Sequence, residues 1–224
     1  EVDAYWPNFR GNNSNMAVVD VKTPIDPAKT KTKWALKGGS SWADTPSLPI
    51  LADGSVVAMI NNRLVKIDPQ TGKITAEGKM VKSPGFSVVS PTCGGGMIFC
   101  QLGGGTVQAF NAKTLESLWV YTDPKGGQSN SPVLYSDGFV YTGFWNGETK
   151  EADFVCLSAF DEDTTQTNEA KQAKWIYAGA GGFYWAGAAA VGSDFVAVGT
   201  DDGTGSNDGP AKLLSFHKTT GAIA

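Results

Sequence analysis

The acidic loop at residues 201–209, DDGTGSNDG, is the segment whose residue types come nearest to a metal site. It offers side-chain oxygens from Asp201, Asp202, Asn207 and Asp208, and Ca²⁺ prefers hard oxygen ligands. The spacing lacks the glycine and the closing acidic residue of an EF-hand loop. Because glycine-rich acidic loops are usually solvated turns, Asp201, Asp202 and Asp208 are only weak metal candidates. We expect no calcium.

Nucleophilic or imidazole chemistry would have to use very few residues. The single histidine, His217, lies in the turn-like segment LLSFHKTTG, where a surface position is expected. The three cysteines, Cys93, Cys100 and Cys156, lie in or beside apolar runs, which is typical of small buried hydrophobic residues. The spacing of the acidic residues singles out no pair of carboxylates. Hydrolysis by two carboxylates therefore stays an open alternative, for which the sequence indicates no particular residues. We therefore predict no catalytic residue and lean against an enzyme.

Composition argues against two classes of partner. The 224 residues carry a formal net charge of −4, and 18% of them are charged, below the ~25% of typical soluble proteins. Without a Lys/Arg cluster we expect no nucleic acid, because phosphates require concentrated positive charge. No apolar run approaches the ~20 residues of a membrane span. The low charge, the Asn/Thr/Gly bias and the start at Glu1 favour a mature protein that is extracellular, on the cell surface or periplasmic.

These residues are embedded in a repeat. Tight turns in ILADGSVVAMI, PTCGGGMIFCQ and LYSDGFVYTGF place Gly54, Gly96 and Gly138 at intervals of 42 residues. Asp194, in AVGSDFVAVGT, takes the corresponding place 56 residues later. The 14 extra residues lie in two loops, one within FWNGETKEAD and one after Asp161. A fixed period of about 40–45 residues predicts a propeller or a similar array.

Each repeat predicts four short strands, A to D. β-Branched and aromatic residues are enriched, the turns are rich in glycine, and no 3.6-residue apolar period is present. Strand D carries a Trp-x-Tyr pair in SLWVYT and AKWIYA. Four strands joined by hairpins are typical of a propeller blade. The predicted fold is all-β, a β-propeller with four-stranded antiparallel blades and about four repeats.

The repeat resembles a known family. Its pattern is apolar-x-apolar-Asp-x-x-Thr-Gly-x-x-x-Trp-x-Tyr, with SPV opening the next unit and VYTG following it. This is similar to the PQQ-like repeat, whose family includes quinoprotein alcohol dehydrogenases and BamB-type scaffold proteins. The opening WPNFRGNNSN resembles the N-terminal lead-in of such propellers. The resemblance extends from Trp6 to Gly221 and implies the fold, whereas one fold hosts unrelated functions.

The repeat divides the chain into a lead-in and blades. We predict a lead-in at 1–31, a ring-closing strand at 32–39 with Trp34, and blades at 40–81, 82–124, 125–179 and 180–224, the last one incomplete. Either the Trp34 strand closes a four-bladed ring, or the chain is the N-terminal part of a six- to eight-bladed ring. We favour the second interpretation, in which further blades or another copy complete the ring.

One face of the predicted propeller collects the D–A and B–C loops. Aromatic rings beside amides suit a planar or sugar-like ligand, because the rings stack and the amides fix orientation. The alternative is that the tryptophans of these loops pack between blades. The predicted face contains Trp42, Phe86, Gln128, Asn130, Trp145, Phe183, Tyr184 and Trp185.

Three functions follow from this face and from the resemblance. The first is a non-catalytic binding module for a small molecule, glycan or protein, and the second is a BamB-type protein scaffold. The third is a fragment of a PQQ-dependent dehydrogenase. The resemblance implies that such enzymes use a vicinal Cys-Cys disulfide and a calcium-binding Asp/Glu/Asn set. Since the sequence has no adjacent cysteines, we expect neither PQQ nor Ca²⁺.

Overall fold

The computed structural model describes residues 3–38, 47–85, 89–128, 130–183, 187–206 and 208–224. Apart from one 3₁₀ turn at Pro27–Lys29, the regular elements of these residues are sixteen β-strands. The all-β fold class predicted from the repeat is confirmed. In the described residues, no helix is both long and apolar enough to cross a membrane.

The strands form four consecutive antiparallel sheets, blades 1 to 4. Blade 1 contains β1 (Ile50–Ala52), β2 (Ser55–Ile60), β3 (Arg63–Ile67) and β4 (Ile74–Lys79). Blade 2 contains β5 (Thr92–Gly94), β6 (Met97–Leu102), β7 (Thr106–Asn111) and β8 (Ser117–Thr122). Blade 3 contains β9 (Leu134–Ser136), β10 (Phe139–Gly143), β11 (Glu151–Ser158) and β13 (Ala173–Ala180). Blade 4 contains β14 (Ala189–Val191), β15 (Phe195–Gly199) and β16 (Leu213–His217).

Within each blade the strands follow one another as a meander, from A to D in blades 1 to 3 and from A to C in blade 4. The A strands β1, β5, β9 and β14 are neighbours in this order, so they lie on the inside and the D strands on the outside. Tight Asp-Gly turns join A to B in blade 1, where Asp53 and Gly54 have φ of 52° and 67°. Two consecutive positive φ values fit a type I′ hairpin turn, which fixes the register of the two strands.

Apolar side chains fill the space between successive blades. Leu64 of blade 1 packs in one cluster with Ile98 and Phe110 of blade 2, and the Phe154 and Phe216 rings of blades 3 and 4 stack at 5.6 Å. Burying one such side chain contributes about 1.5–3 kcal/mol. Packing between sheets is therefore the main stabilisation of each sheet.

Indole groups join the outer strand of one blade to the next blade. Trp119 Nε1 on β8 donates to the Ala159 carbonyl of blade 3 at 2.8 Å. Trp175 Nε1 on β13 donates to the Lys218 carbonyl of blade 4 at 2.8 Å. Both carbonyls lie at the beginning of a C–D connection. A buried indole N–H requires such a partner, so these bonds fix the position of each outer strand against its neighbour.

The predicted ring-closing strand at residues 32–39 is not a strand over the described residues 32–38. Trp34 nevertheless makes the contact of an outer-strand tryptophan, because its Nε1 donates to the Pro69 carbonyl at the C–D turn of blade 1 at 2.9 Å. Lys33 contacts Gln70 in the same turn. No described strand pairs with this backbone, so its N–H and C=O groups have no partner for the hydrogen bonds of a sheet. Ring closure by this segment and the blade boundaries stay predictions.

Between blades 1 and 2, a leucine of blade 2 packs near a small residue of blade 1, and this contact takes the place of the tryptophan contact. The C–D turns of blades 1, 2 and 4 close with the same hydrogen bond, donated by Gly72, Leu115 and Gly221 respectively. A Cβ at Gly72 would lie 2.7 Å from Trp34, and one at Gly221 would lie 2.6 Å from Trp175. In blade 2, Leu115 adopts the same left-handed backbone, with φ of 60°. It packs near Ala76, which occupies the position that Trp119 and Trp175 have in blades 2 and 3.

The C–D insertion of blade 3 crosses to the neighbouring blade. It contains β12 (Glu169–Ala170), which pairs in parallel with β8 at Trp119 and Val120. Lys171 N also donates to the Val120 carbonyl at 2.9 Å. The insertion therefore covers the outer edge of blade 2, which would otherwise present unpaired backbone groups.

The lead-in runs along the inner strands. Trp6 and Leu51 exchange backbone hydrogen bonds of 3.2 and 3.0 Å, and Cys93 N donates to the Pro7 carbonyl at 2.7 Å. Further on, Ala190 N donates to the Asn13 carbonyl at 2.9 Å. Residues 6–13 thus contact the A strands of blades 1, 2 and 4, and tie them together at the inside of the molecule.

Replacing Gly72 by alanine should release Trp34 from blade 1. The new Cβ would lie 2.7 Å from the indole, whereas Gly54→Ala, at nearly the same φ, meets nothing within 4 Å. Both variants carry the left-handed backbone cost of about 1–2 kcal/mol, so their difference reports the indole contact. Limited trypsin digestion should cleave after Lys33 and Lys37 faster in Gly72→Ala. Equal cleavage of the two variants would contradict the docking of Trp34.

Candidate functional site

The face that carries the D–A and B–C loops is described only in part. Of the eight residues predicted there, Trp42, Phe86, Tyr184 and Trp185 lie outside the described residues. Their predicted role stays a prediction. The other four, Gln128, Asn130, Trp145 and Phe183, have defined positions.

Two of the predicted residues are inside the protein. Phe183 is completely buried, with its ring 5.3 Å from that of Phe154. Its backbone N–H donates to the Phe144 carbonyl at 2.9 Å, which turns the loop inward. Asn130 is only 1% exposed. Both side chains are therefore buried in this structure, and that they contact a ligand stays a prediction.

The remaining two residues are brought together. Gln128 and Trp145 form an isolated antiparallel bridge, in which Gln128 N donates to the Trp145 carbonyl at 2.7 Å. Gln128 is exposed and Trp145 is half-buried. The D–A loop before blade 3 and the B–C loop of blade 3 are therefore neighbours at this face. That Gln128 and Trp145 contact a ligand stays a prediction.

Carboxylates from two blades meet on the same face. Glu148, in the B–C loop of blade 3, lies beside Asp201 and Asp202 in the B–C loop of blade 4. The loops are held together because Gly181 N donates to the Lys150 carbonyl and Asp201 N to the Gly182 carbonyl, each at 3.0 Å. Loss of hydration, and then repulsion by Asp201, raise the pKa of Glu148. We call Glu148, Asp201 and Asp202 the carboxylate cluster; its chemistry suits a cationic partner.

The weak metal candidates differ in their surroundings. Asp202 anchors its own loop by accepting from Thr204 N and Gly209 N, each at 2.8 Å, and these backbone donors lower its pKa. Asp208 is exposed. In the part of the chain that the structure describes, no three His, Cys, Asp or Glu side chains are placed to hold a metal ion.

The cysteines do not supply a quinone-binding disulfide either. Cys93, Cys100 and Cys156 are buried and unpaired, and burial raises the pKa of the Cys93 thiol to about 11 and that of Cys156 to about 12. The described residues therefore do not fit the PQQ-and-calcium group that the resemblance implies. His217, as predicted, lies exposed at a C–D turn, where its position matches that of Asp68 and Asn111.

A charged network between blades 2 and 3 was not predicted from the sequence. Asp123, which follows β8, and Asp153, on β11, are each 2% exposed. Tyr121 Oη donates to Asp123 at 3.0 Å, and Lys125 Nζ donates to Asp153 at 2.6 Å. Burial is the main cause that raises the pKa of Asp123, and the Asp153 hydrogen bond raises the pKa of Lys125. The sequence feature that could have indicated this network is Asp153, an aspartate inside the apolar strand ADFVCL.

Four consecutive meander blades, with outer-strand tryptophans joining blade 2 to blade 3 and blade 3 to blade 4, define a β-propeller of PQQ-like repeats. A family model described as "Outer membrane protein assembly factor BamB" matches residues 20–154. The chain belongs to this family. Comparison with curated protein sequences gives no match.

Solved structures show the same fold. BamB from Moraxella catarrhalis superposes with a TM-score of 0.54 at 15% identity, over 76% of this chain and 49% of that chain. A europium-containing methanol dehydrogenase superposes with a TM-score of 0.73 at 12% identity, over 98% of this chain and 48% of that one. The match therefore spans about half the length of each of these proteins. At these identities the likeness shows the fold alone.

Replacing Asp123 by asparagine should remove a pH dependence of stability. The folded-state pKa of Asp123 is raised above 3.8, so the folded protein holds this proton more tightly than the unfolded chain. The contribution of Asp123 to wild-type stability therefore falls as the pH rises from 3.8 through the folded pKa. Urea unfolding over this window should show the free-energy difference, Asp123→Asn minus wild type, increasing with pH.

Asp202→Asn provides a control of opposite sign. The pKa of Asp202 is lowered in the folded state, so its stabilisation is present above 3.8 and is lost as the pH falls through the folded value. The corresponding free-energy difference should therefore decrease as the pH rises. A flat profile for Asp123→Asn would show that this carboxyl is not perturbed by burial.

Proposed function

We propose that this chain is a non-catalytic propeller module that binds a protein partner outside the cytoplasm, through the face of its D–A and B–C loops. The observation that carries the proposal is the carboxylate cluster at Glu148, Asp201 and Asp202, held in place by backbone hydrogen bonds between two blades. The cavity beside it, lined by Asp201 and Asp202, has a volume of about 140 Å³. This is below the ~300 Å³ at which small-molecule pockets begin.

The chemistry of the cluster indicates a basic segment as the partner's contact. Glu151, with 66% of its side chain exposed and Lys125 Nζ at 3.8 Å from its carboxylate, and the exposed Asp208 add further carboxylates to this face. Each exposed ion pair contributes only about 0.2–1 kcal/mol, but several of them together steer association and set orientation. An extended, lysine-rich segment could contact both B–C loops at once.

The family supports a protein partner and an exported location. The matching model describes an assembly factor of the outer membrane, and assembly requires contacts with other proteins. The buried thiols agree with an oxidising compartment, because Cys93, Cys100 and Cys156 are shielded from oxidants and from one another. Cys100 is 0% exposed, and burial raises its pKa far above the ordinary thiol range.

The proposal can be tested with a fluorescein-labelled peptide of alternating lysine and serine, measured by anisotropy. We expect saturable binding that weakens with added salt, because surface charges are screened. Glu148→Gln combined with Asp201→Asn should weaken binding several-fold. A peptide of alternating glutamate and serine should not bind.

Asp3→Asn combined with Asp20→Asn is the matched control. Both residues are exposed in the lead-in, and the change in net charge is the same. Equal loss of affinity in the two double variants would mean that the peptide senses net charge alone. That result would reject the carboxylate cluster as a binding surface.

A further inference from the structure

A second site lies on the opposite face, between blades 3 and 4. A cavity of about 470 Å³ opens there among the A–B turns of both blades and the C–D turn of blade 4. Phe139 and Ala190 provide its apolar wall, and Asp137, Asp194 and Lys218 provide polar atoms. Its volume lies within the range of small-molecule pockets, about 300–1,000 Å³. The carboxylate cluster plays no part in it.

The cavity exists because one aromatic side chain is missing from the repeat. On β9, Tyr135 pairs with Val140, and on β14, Ala190 pairs with Val196, so the two residues occupy equivalent positions. Between blades 2 and 3, Tyr135 fills the interface with its ring stacked on Phe99 at 5.8 Å. Between blades 3 and 4, the alanine methyl group leaves that volume empty.

The blades that face these two positions also differ: blade 2 faces Tyr135, and blade 3 faces Ala190. A Cβ at Gly94 would lie 2.1 Å from the Tyr135 ring, and one at Gly95 would lie 2.7 Å from its hydroxyl oxygen. Blade 2 thus has no side chains where the tyrosine lies. In blade 3 the equivalent positions are Ser136 and Asp137, by the register of their strands. The cavity therefore has hydrogen-bonding groups where the tyrosine hydroxyl would end.

The polar wall is fixed in place. Lys218 is only 5% exposed, and its Nζ donates to Ser136 Oγ at 3.0 Å and to Asp137 Oδ2 at 2.8 Å. The ammonium group holds the Asp137 carboxylate beside the cavity while 70% of that side chain stays exposed. A fixed carboxylate is a strong acceptor for an O–H donor. His217 is held against Phe195, with ring centroids 4.6 Å apart.

We propose that this cavity binds a planar aromatic ring that carries a hydroxyl group, in the place that Tyr135 takes between blades 2 and 3. The ring packs on Phe139 and Ala190, and the hydroxyl donates to the Asp137 carboxylate. The ligand class is a phenol. Aromatic rings supply large contact area, and a phenolic hydroxyl finds a partner when it is buried.

The first experiment locates the ligand in the wild-type protein. p-Cresol, which reproduces the tyrosine side chain, is titrated into protein labelled with ¹³C at alanine methyl groups. The Ala190 methyl signal should shift saturably because of the ring current, while that of Ala76, between blades 1 and 2, should not. Toluene, which lacks the hydroxyl, should bind more weakly. Absence of a saturable shift at Ala190 would overturn the proposal.

N-Acetyl-tyrosinamide distinguishes the two sources of a phenol. Equal affinity for this compound and for p-cresol would show that a tyrosine side chain of a peptide can enter the cavity. Binding of p-cresol alone would restrict the site to free small phenols. Both outcomes support recognition of the ring.

Substitution at Ala190 tests the equivalence with Tyr135. Ala190→Tyr should supply the ring from within the chain, abolish p-cresol binding and raise the melting temperature. Val191→Tyr adds the same ring at the next position of β14, which is 48% exposed and does not line the cavity, so it should bind as the wild type does. Undiminished p-cresol binding in folded Ala190→Tyr would overturn the proposed position of the ligand.

Discussion

A sheet with two apolar faces has to be covered on both sides, and the rest of this molecule follows from that constraint. In the central blades the cover is complete: all six residues of β6 are buried, as are seven of the eight in β11. At the ends of the array the cover differs. Trp34 packs on the outer side of blade 1, whereas blade 4 leaves Leu213 80% exposed. Each blade is therefore stabilised by its packing against the neighbouring blades.

The interfaces between blades are filled by different residues. Trp119 and Trp175, on outer strands, each contact the following blade, whereas Leu115 of blade 2 packs near Ala76 of the preceding blade. Tyr135 fills an inner position that Gly94 leaves free. Close packing requires that a large residue on one blade meets a small one on the next. Where neither blade supplies the large residue, as at Ala190, a cavity results.

The sequence specified the parts of the fold that depend on local backbone geometry. Turns such as Asp53-Gly54 need positive φ, which few residue types adopt, so they recur visibly at a fixed interval. Parallel strand β12 could not be found this way, because Glu169 and Ala170 have little strand preference and pair with a different blade. Residues 32–38 have a strand-like composition, but no strand in the described part of the chain pairs with them.

The candidate site was less predictable because it depends on contacts between blades. An aromatic residue in a glycine-rich loop fits a binding rim and an interior position equally well. What assigns Phe183 to the interior is the lack of a side chain at Gly143, 40 residues away in the chain. Asp123 and Asp153 likewise share one network although no local motif connects them. Burial and charge proximity of this kind arise only when two sheets stack.

The two faces of the propeller differ in how their connections are held, and this difference separates two kinds of binding. The A–B turns of blades 3 and 4 and the C–D turn of blade 4 are short, and the C–D turn is closed by the backbone hydrogen bond from Gly221 to His217, so the cavity among them is formed before any ligand arrives. The B–C loops of blades 3 and 4 are long and carry the carboxylates of Glu148, Asp201 and Asp208. A preformed cavity suits a rigid ring, since little ordering entropy is lost. Long charged loops suit an extended partner, whose contacts can adjust along its length.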